Sequence, residues 1–264
     1  KAFYKNPKPW IIGQGFKPLS SEKDKPINSK LVSKVPFLNA NNFHSWVIPN
    51  VRLDKPLQTS SVRRLGFENG FNPPHVLIPT GIIMESGHLR AAYSEEKMCF
   101  RDAIQAISFP KNDASELKRL TAILNSSFAA WFYFHKTAGI AAERPTIDED
   151  QLLELPFPEV EELPDPKAAL KAKNAIIAII DKLLQGKDQV LHGEFPDKRT
   201  VERLNQFVYQ YYGLTTDEIT VIEDTLLYIL PSIQPRRNKS VPLWEIPKSR
   251  HWQEYMETLI LSLN

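Results

Sequence analysis

His75-Val76-Leu77-Ile78-Pro79 begins the most informative segment of this chain, which extends to residue 158. An apolar run follows as Leu120-Thr121-Ala122-Ile123-Leu124-Asn125-Ser126-Ser127, and the stretch closes with Leu155-Pro156-Phe157-Pro158. The first run is typical of a strand, the second of a buried helix, and the prolines of the third break the chain. We therefore expect short strands first, then one strongly apolar helix, and then a new unit.

Short strands are predicted on both sides of residue 75. Residues 88–93 and 97–101 alternate between two kinds of side chain, as half-buried strands do, whereas residues 103–109 are apolar on both faces and predict a central strand. The predicted strands cover residues 10–12, 35–38, 45–48, 75–78, 81–84, 88–93, 97–101 and 103–109.

A helix is predicted over residues 113–136. Asp113 and Glu116 are typical of a helix start, because an acidic side chain can accept hydrogen bonds from the unpaired N–H groups of the first turn. Apolar residues then recur at helical spacing on most sides, and Gly139 can end the helix in the left-handed conformation. This helix is therefore expected to be buried.

A second helix is predicted to begin at Pro166, with Asp165 as its cap and Gly186 at its end. Its apolar residues at positions 169, 172, 176, 179 and 183 alternate steps of three and four, which predicts a packing seam. Further helices are predicted over residues 198–212, from 215 to about 229, and from about 251, and the last is still running at the final residue.

Together these elements predict an α+β fold in which a strand-rich region precedes a helical one. We expect residues 1–160 to form a strand-rich domain that includes helix 113–136, and residues 161–264 to form a helical region that is truncated. The chain opens on Lys1 rather than Met, which also favours a piece of a longer protein.

Charge is segregated between the two parts of the chain. Residues 1–112 hold 16 Lys and Arg against 8 Asp and Glu, a net charge of +8, so residues 113–264 hold the remaining 17 basic and 23 acidic residues, a net charge of −6. Such segregation favours a polyanion as the partner of the first half. The alternative is a lysine-rich loop region that is only solvated.

Several classes of function are not favoured. The single cysteine, Cys99, excludes an internal disulfide and fits a reducing cytoplasm, and its apolar neighbours indicate a structural residue. With no signal peptide and no apolar run of about 18 residues, neither secretion nor a membrane is predicted. The histidines have no ligand spacing, so no metal site is predicted; they are His44, His75, His88, His135, His192 and His251.

Asn72-Pro73-Pro74-His75 is the one pattern that suggests catalysis. An Asn-Pro-Pro-aromatic loop in an amino-group methyltransferase accepts from the target amine and stacks on a flipped base. Gly13-Gln14-Gly15-Phe16 could serve as a matching cofactor loop. However, Asn72 follows a turn sequence rather than a strand, and no helix follows the glycines. We therefore predict no catalytic residue and no cofactor in this chain.

Basic side chains are the stronger functional candidates. Arginine can pair with guanine O6 and N7, and lysine neutralises phosphate. We predict that five residues contact DNA, of which Arg90 and Arg101 are expected on neighbouring strands; the alternative is an ordinary solvated sheet face. The five residues are Arg63, Arg64, Arg90, Lys97 and Arg101.

The order of several motifs resembles the C-terminal specificity domain of TaqI-like N6-adenine DNA methyltransferases, including fused restriction-modification enzymes. The Leu-Asn-Ser-Ser run and the Leu-Pro-Phe-Pro exit are the most telling pair. A looser similarity covers residues 35–43 and 212–218. The matching runs begin at Pro74, Phe100, Leu120, Glu143 and Leu155.

The resemblance implies a DNA target-recognition function. In the intact enzyme, a separate N-terminal domain would bind S-adenosylmethionine and transfer methyl to an adenine amino group. This chain would bind duplex DNA, select the site and position it for that domain, with the seam helix oriented against the catalytic part. Two alternatives remain: a module whose acidic helical half binds a partner subunit, and a self-contained methyltransferase that uses Asn72.

Overall fold

The structure is a computed structural model that describes residues 10–49, 52–83, 86–109, 113–137, 146–186, 196–233 and 249–263. Strands occupy its first half and helices its second, which confirms the predicted α+β fold. The strands are β1 Ile11–Gln14, β2 Ile27–Asn28, β3 Phe37–Leu38, β4 Trp46–Val47, β5 Leu53–Asp54, β6 Ser61–Val62, β7 His75–Pro79, β8 Ala92–Ser94, β9 Cys99–Phe100 and β10 Ile104–Ser108. The helices are α1 Ala114–Leu124, α2 Ser127–Lys136, α3 Glu149–Leu153, α4 Pro166–Gln185, α5 Lys198–Tyr212, α6 Thr216–Asp224, α7 Leu230–Ile233 and α8 Ser249–Leu263.

A five-stranded sheet in the order β1-β10-β7-β8-β4 forms the centre of the first half. Strand β10 lies between β1 and β7, is antiparallel to both, and is buried along its whole length. Its one long polar side chain, Gln105, donates to the carbonyl of Ile147 at 2.9 Å. The prediction of a central strand over residues 103–109 is thus confirmed, because a strand paired on both edges and covered on both faces has to be apolar on both sides.

Two smaller sheets, β5-β3-β9 and β2-β6, lie over a second hydrophobic cluster. Phe16, Phe37 and Phe71 are among its buried residues, and Cys99 lies within it with its thiol near the carbonyl of Val32. Burial raises the pKa of the Cys99 thiol to about 12. Because the thiolate is the reactive form, Cys99 is a packing residue rather than a nucleophile.

Most of the predicted strands are shorter than the sequence pattern suggests, and residues 81–84 and 88–93 differ the most. Within residues 81–83 only Gly81 forms a β-bridge, to Thr146, so the predicted strand 81–84 is wrong over its described part. In the segment 88–93 only the end belongs to β8, although Leu89, Ala91 and Tyr93 are buried as the alternation predicts. Alternating apolar and polar side chains indicate which residues are buried. A β-strand also needs a neighbouring backbone with which it can form hydrogen bonds.

The predicted helix 113–136 is divided into α1 and α2 at Asn125 and Ser126. Asp113 caps α1 as expected, with its carboxylate accepting from the N–H of Glu116. The Ser126 hydroxyl donates to the carbonyl of Ile123 at 2.6 Å and accepts from the first turn of α2, so it begins a second helix. The predicted helix end at Gly139 and the 143–145 motif lie outside the described residues.

Helix α4 begins and ends where the sequence predicts. The Asp165 carboxylate accepts from the N–H of Ala168, Pro166 occupies the first turn, and Gly186 follows the last residue. Helix α4 packs against α1 and α5, and its buried face is Ala169, Ala172, Ile176, Ile180 and Leu183. The predicted seam is therefore largely confirmed, but this face is covered within the chain and is not available to orient a catalytic domain.

One hydrophobic cluster joins the central sheet to the helices on both sides of residue 160. Phe157 lies in the connector between them, and its ring makes an edge contact with Trp10 at 5.2 Å between centroids. Val76 of β7, Ile176 of α4 and Tyr211 of α5 belong to the same cluster. The division into two domains near residue 160 stays a prediction.

Candidate nucleic-acid interface

Three segments of backbone meet beside the edge of the central sheet. Residues 14–17 continue from β1 and run between residues 63–67 on one side and residues 100–104 on the other. The joining N–H to carbonyl pairs are Gly15 to Ile104, Phe16 to Phe100, Asp102 to Phe16, Lys17 to Arg64, Arg63 to Lys17 and Phe67 to Gln14. These bonds hold the backbones of the three segments in a fixed arrangement relative to one another.

Two glycines allow the segments to approach so closely. A Cβ atom on Gly15 would lie 2.1 Å from the carbonyl oxygen of Phe100, and a Cβ on Gly66 would lie 2.4 Å from the carbonyl carbon of Gly15. Any side chain at either position would collide with backbone, which cannot move aside cheaply. Packing at this junction therefore explains the second glycine of the Gly13-Gln14-Gly15-Phe16 pattern.

The junction brings together four basic residues, which we call the basic ridge: Lys17, Arg63, Arg64 and Arg101. All four side chains are exposed. The sequence predicted three of them as DNA contacts, whereas Lys17 lies outside every predicted strand and was not a candidate. The missing information was the pairing of Lys17 with Arg64, which are 47 positions apart, and local patterns do not encode such pairing.

The members of the basic ridge have different neighbours. Lys17 Nζ lies 3.7 Å from the Asp102 carboxylate, and Arg63 Nε lies 3.3 Å from the Asp24 carboxylate. Hydrogen bonds from the backbone N–H and hydroxyl of Ser20 hold the pKa of Asp24 below its ordinary value, so Asp24 is charged at neutral pH.

The other two arginines of the ridge have no carboxylate within ion-pair distance in the part of the chain that the structure describes. Arg64 Nη2 donates to the Gln14 side-chain oxygen at 3.0 Å. The Arg101 guanidinium lies 5.7 Å from the centroid of the Phe37 ring, a distance at which a cation is attracted to the aromatic face. The ridge therefore retains a positive surface after its internal ion pairs are counted.

Arg90 and Lys97 lie away from the ridge. Arg90 precedes β8 of the central sheet, whereas Arg101 follows β9 of a smaller sheet, so the prediction that they lie on neighbouring strands is wrong. Arg90 is half-buried, and its Nε is buried without a hydrogen-bond partner among the described residues. Lys97 is exposed in the turn between β8 and β9. That either of them contacts DNA stays a prediction.

The Asn72-Pro73-Pro74-His75 pattern does not form a catalytic loop. Asn72 follows the short 3₁₀ helix Glu68–Phe71 and precedes β7, so it lies at the amino end of a strand that is antiparallel to both of its neighbours. His75 is fully buried, and its Nδ1–H donates to the Gly70 carbonyl at 2.6 Å. A ring held in this way cannot stack on a flipped base, which excludes the reading of this pattern as a catalytic centre.

His75 should make stability depend on pH. Burial lowers the pKa of His75 from its ordinary 6.5 to about 4, so between these pH values the unfolded chain binds a proton that the native chain does not. The free energy of unfolding should therefore fall as pH drops from 6.5 towards 4, by up to about 1.4 kcal/mol per pH unit from this residue. Urea denaturation at several pH values would measure it.

The variant His75→Asn tests whether His75 causes this pH dependence. Burial also lowers the pKa values of His44 and His88, so the variant should keep part of the pH dependence. Its dependence should nevertheless be shallower than that of the unsubstituted chain. Parallel curves for the two proteins would contradict the assignment.

Neither a metal site nor a membrane segment is found in the described ranges. No three His, Cys, Asp or Glu side chains there are grouped so that they could hold a metal ion. No described helix combines the length and the apolar character needed to cross a bilayer. We take the basic ridge as the candidate site because it is an exposed group of cations on paired backbone segments.

Comparison with known proteins supports the fold. No protein-family model matches the sequence, and no curated protein matches it. Solved structures do match, among them the Type IIL restriction-modification enzyme MmeI in complex with DNA, with a TM-score of 0.50 and 12% identical residues. The match covers 87% of this chain and 37% of that one, so the chain corresponds to little more than a third of that enzyme's length. At this identity the match shows a shared fold.

Proposed function

We propose that this chain binds duplex DNA and serves as the target-recognition part of a restriction-modification enzyme. The observation that carries the proposal is the basic ridge, an exposed set of cations on hydrogen-bonded backbone segments, in a fold shared with a DNA-bound restriction-modification enzyme. The net charge of +8 over residues 1–112 gives a long-range attraction to DNA in the same direction.

In this proposal the ridge lies against the phosphate backbone. Lysine and arginine side chains displace condensed counterions from DNA, which provides affinity and fixes the orientation of the protein without reading sequence. The junction of the three segments keeps these cations in register with one another, so their contacts can form together. Lys97 and Arg90 would add contacts outside the ridge.

The finer part of the proposal rests on the resemblance of the sequence motifs. The intact protein would be an adenine-specific N6 DNA methyltransferase, with a separate N-terminal domain of the same polypeptide that binds S-adenosylmethionine and carries the catalytic residues. The present chain would select the site and present it to that domain. It would act as a DNA-binding part without a catalytic centre of its own.

Salt-dependent DNA binding tests the proposal. Fluorescence anisotropy of the chain with random duplex DNA should show an affinity that falls steeply as the salt concentration rises. The variant Lys17→Ala should bind all sequences more weakly and should reduce the slope of log affinity against log salt by about one. Arg199→Ala, at an exposed position of α5, is the matched control and should leave both quantities unchanged. An affinity that is insensitive to salt would contradict the proposal.

A subunit-interaction module is the second candidate, and exposed apolar side chains of the helical half favour it. Leu227 and Tyr228 are each 64% exposed and Val221 is 54% exposed, along α6 and the π-helical turn that follows it. Apolar association responds weakly to moderate salt, so the same titration separates it from DNA binding. The two functions use different halves of the chain.

A further inference from the structure

The four cations of the basic ridge are not equivalent. Lys17 and Arg63 each lie beside a carboxylate, Asp102 and Asp24 respectively, which reduces their local charge. Arg101 is placed over an aromatic ring. Arg64 is the member whose partner is a neutral hydrogen-bond acceptor, the side chain of Gln14. The positive charge of Arg64 is therefore not offset by a neighbouring carboxylate, and the hydrogen bond to Gln14 orients its guanidinium.

Gln14 is well placed to set that direction. It is the last residue of β1, where it is paired with Gln105 of the buried central strand, and its own carbonyl accepts from the N–H of Phe67 at 2.8 Å. Its backbone is thus held on two sides while its side chain reaches Arg64. A guanidinium is planar and has five N–H donors, so the hydrogen bond to Gln14 orients the group and leaves four donors for other partners.

We infer that Gln14 and Arg64 form a base reader that recognises guanine in the major groove, and this inference rests on the proposed function. The remaining donors of Arg64 pair in bidentate fashion with guanine O6 and N7. The amide nitrogen of Gln14, which its bond to Arg64 does not use, donates to an acceptor on an adjacent base. Lys17 and Arg63 are the flanking residues that hold the protein in register on phosphates.

The reader should leave a measurable signature in sequence preference. A bidentate arginine contact discriminates by roughly 10- to 100-fold against a wrong base. The side chain of Arg64 is exposed, so its substitution should not disturb the fold. The variant Arg64→Lys keeps the positive charge but loses the planar fork, and thereby separates reading from simple charge.

The test is a binding selection from a duplex library with randomised bases, carried out on the 264-residue chain and its variants. The unsubstituted chain should enrich guanine at one position. Arg64→Ala and Arg64→Lys should lower that enrichment by about ten-fold or more at that position alone, and Gln14→Ala should lower it less. Lys17→Ala is the matched control and should weaken binding to all sequences while the preference for guanine persists.

The outcomes separate this inference from the proposed function. If the unsubstituted chain binds no duplex at any salt concentration, both are overturned. If it binds DNA but enriches no guanine, or if both Arg64 variants keep the guanine preference, only the base reader is overturned. If Lys17→Ala removes the preference as completely as Arg64→Ala does, the preference depends on overall charge, and the reader is again overturned.

Discussion

Replacing Arg119 by methionine should lower the free energy of unfolding by about 3–5 kcal/mol, because the substitution breaks a buried ion pair from one side. Arg119 is completely buried in α1. One guanidinium nitrogen donates to the carbonyl of Pro158 at 3.0 Å and to the Tyr211 hydroxyl, and another donates to the Glu116 carboxylate. The guanidinium carbon of Arg119 lies 3.9 Å from the centroid of the Phe157 ring. One side chain thus connects α1, the proline connector and α5.

The cost arises mainly from what the substitution leaves behind. Glu116 is 3% exposed and would still be paired with Lys173, but it would lose the guanidinium beside it. A second substitution, Glu116→Leu in the Arg119→Met background, should therefore recover part of the lost stability, because it removes the poorly compensated charge.

Urea denaturation followed by circular dichroism measures this effect, and Arg199→Met on the surface of α5 is the control. The control should change the free energy of unfolding by less than about 0.5 kcal/mol. A loss below about 1 kcal/mol for Arg119→Met would show that the buried arginine is not a main connection between the sheet half and the helices.

Replacing Asn125 by leucine should cost about 2–4 kcal/mol, because it removes the link between the helix break and the central sheet. The Asn125 side-chain oxygen accepts from the N–H of Ala91 at 3.0 Å, and its nitrogen donates to the carbonyls of Ala91 and Thr121 at 2.8 and 2.9 Å. Leucine can make none of these bonds, and the buried N–H of Ala91 would lose this partner.

Asn125→Asp distinguishes hydrogen bonding from the effect of volume. A carboxylate can still accept from Ala91 but cannot donate to the two carbonyls, so we expect at least as large a loss as for leucine. Asn205→Ala is the matched control, since it removes an asparagine that bonds to Ser127 at a partly exposed site. Denaturation and hydrogen exchange at the Ala91 amide measure the effect, and unchanged protection of that amide in both Asn125 variants would contradict it.

Asn125 belongs to one of the two motifs that carry the resemblance, and Arg119 bonds to Pro158 of the other. In the Leu-Asn-Ser-Ser run, Asn125 binds the backbone beside β8, Ser126 caps α2, and Ser127 pairs with Asn205 of α5. In the Leu-Pro-Phe-Pro run, the carbonyls of Pro156 and Pro158 accept from the hydroxyls of Tyr212 and Tyr211 at 2.6 Å. The motifs therefore position the helices against the sheet. These internal hydrogen bonds account for both motifs without a role in reading DNA bases.

Much less of the candidate site than of the fold could be predicted. Arg63 and Arg64 were named from their charge alone, whereas Arg101 was named from its charge and from an expected strand. The structure places all three beside Lys17. Arg90 was named on the same grounds and lies elsewhere. Alternation along a strand indicates which side chains face water, but it cannot indicate which strands are neighbours.

Elements whose signals are local could be predicted from the amino-acid sequence. The ends of α4 and α5 follow from Asp165, Pro166 and Gly213, because a cap bonds to the adjacent turn and Gly213, with φ of 63°, accepts a conformation that other residues resist. The contacts of Asn125 at the helix break and the assembly of the basic ridge became visible in the folded chain. The ridge depends on backbone hydrogen bonds between residues more than thirty positions apart. At the break, Ser126 supplies a local cap, but Asn125 is bonded to Ala91, 34 positions away, and such bonds exist only after the chain has folded.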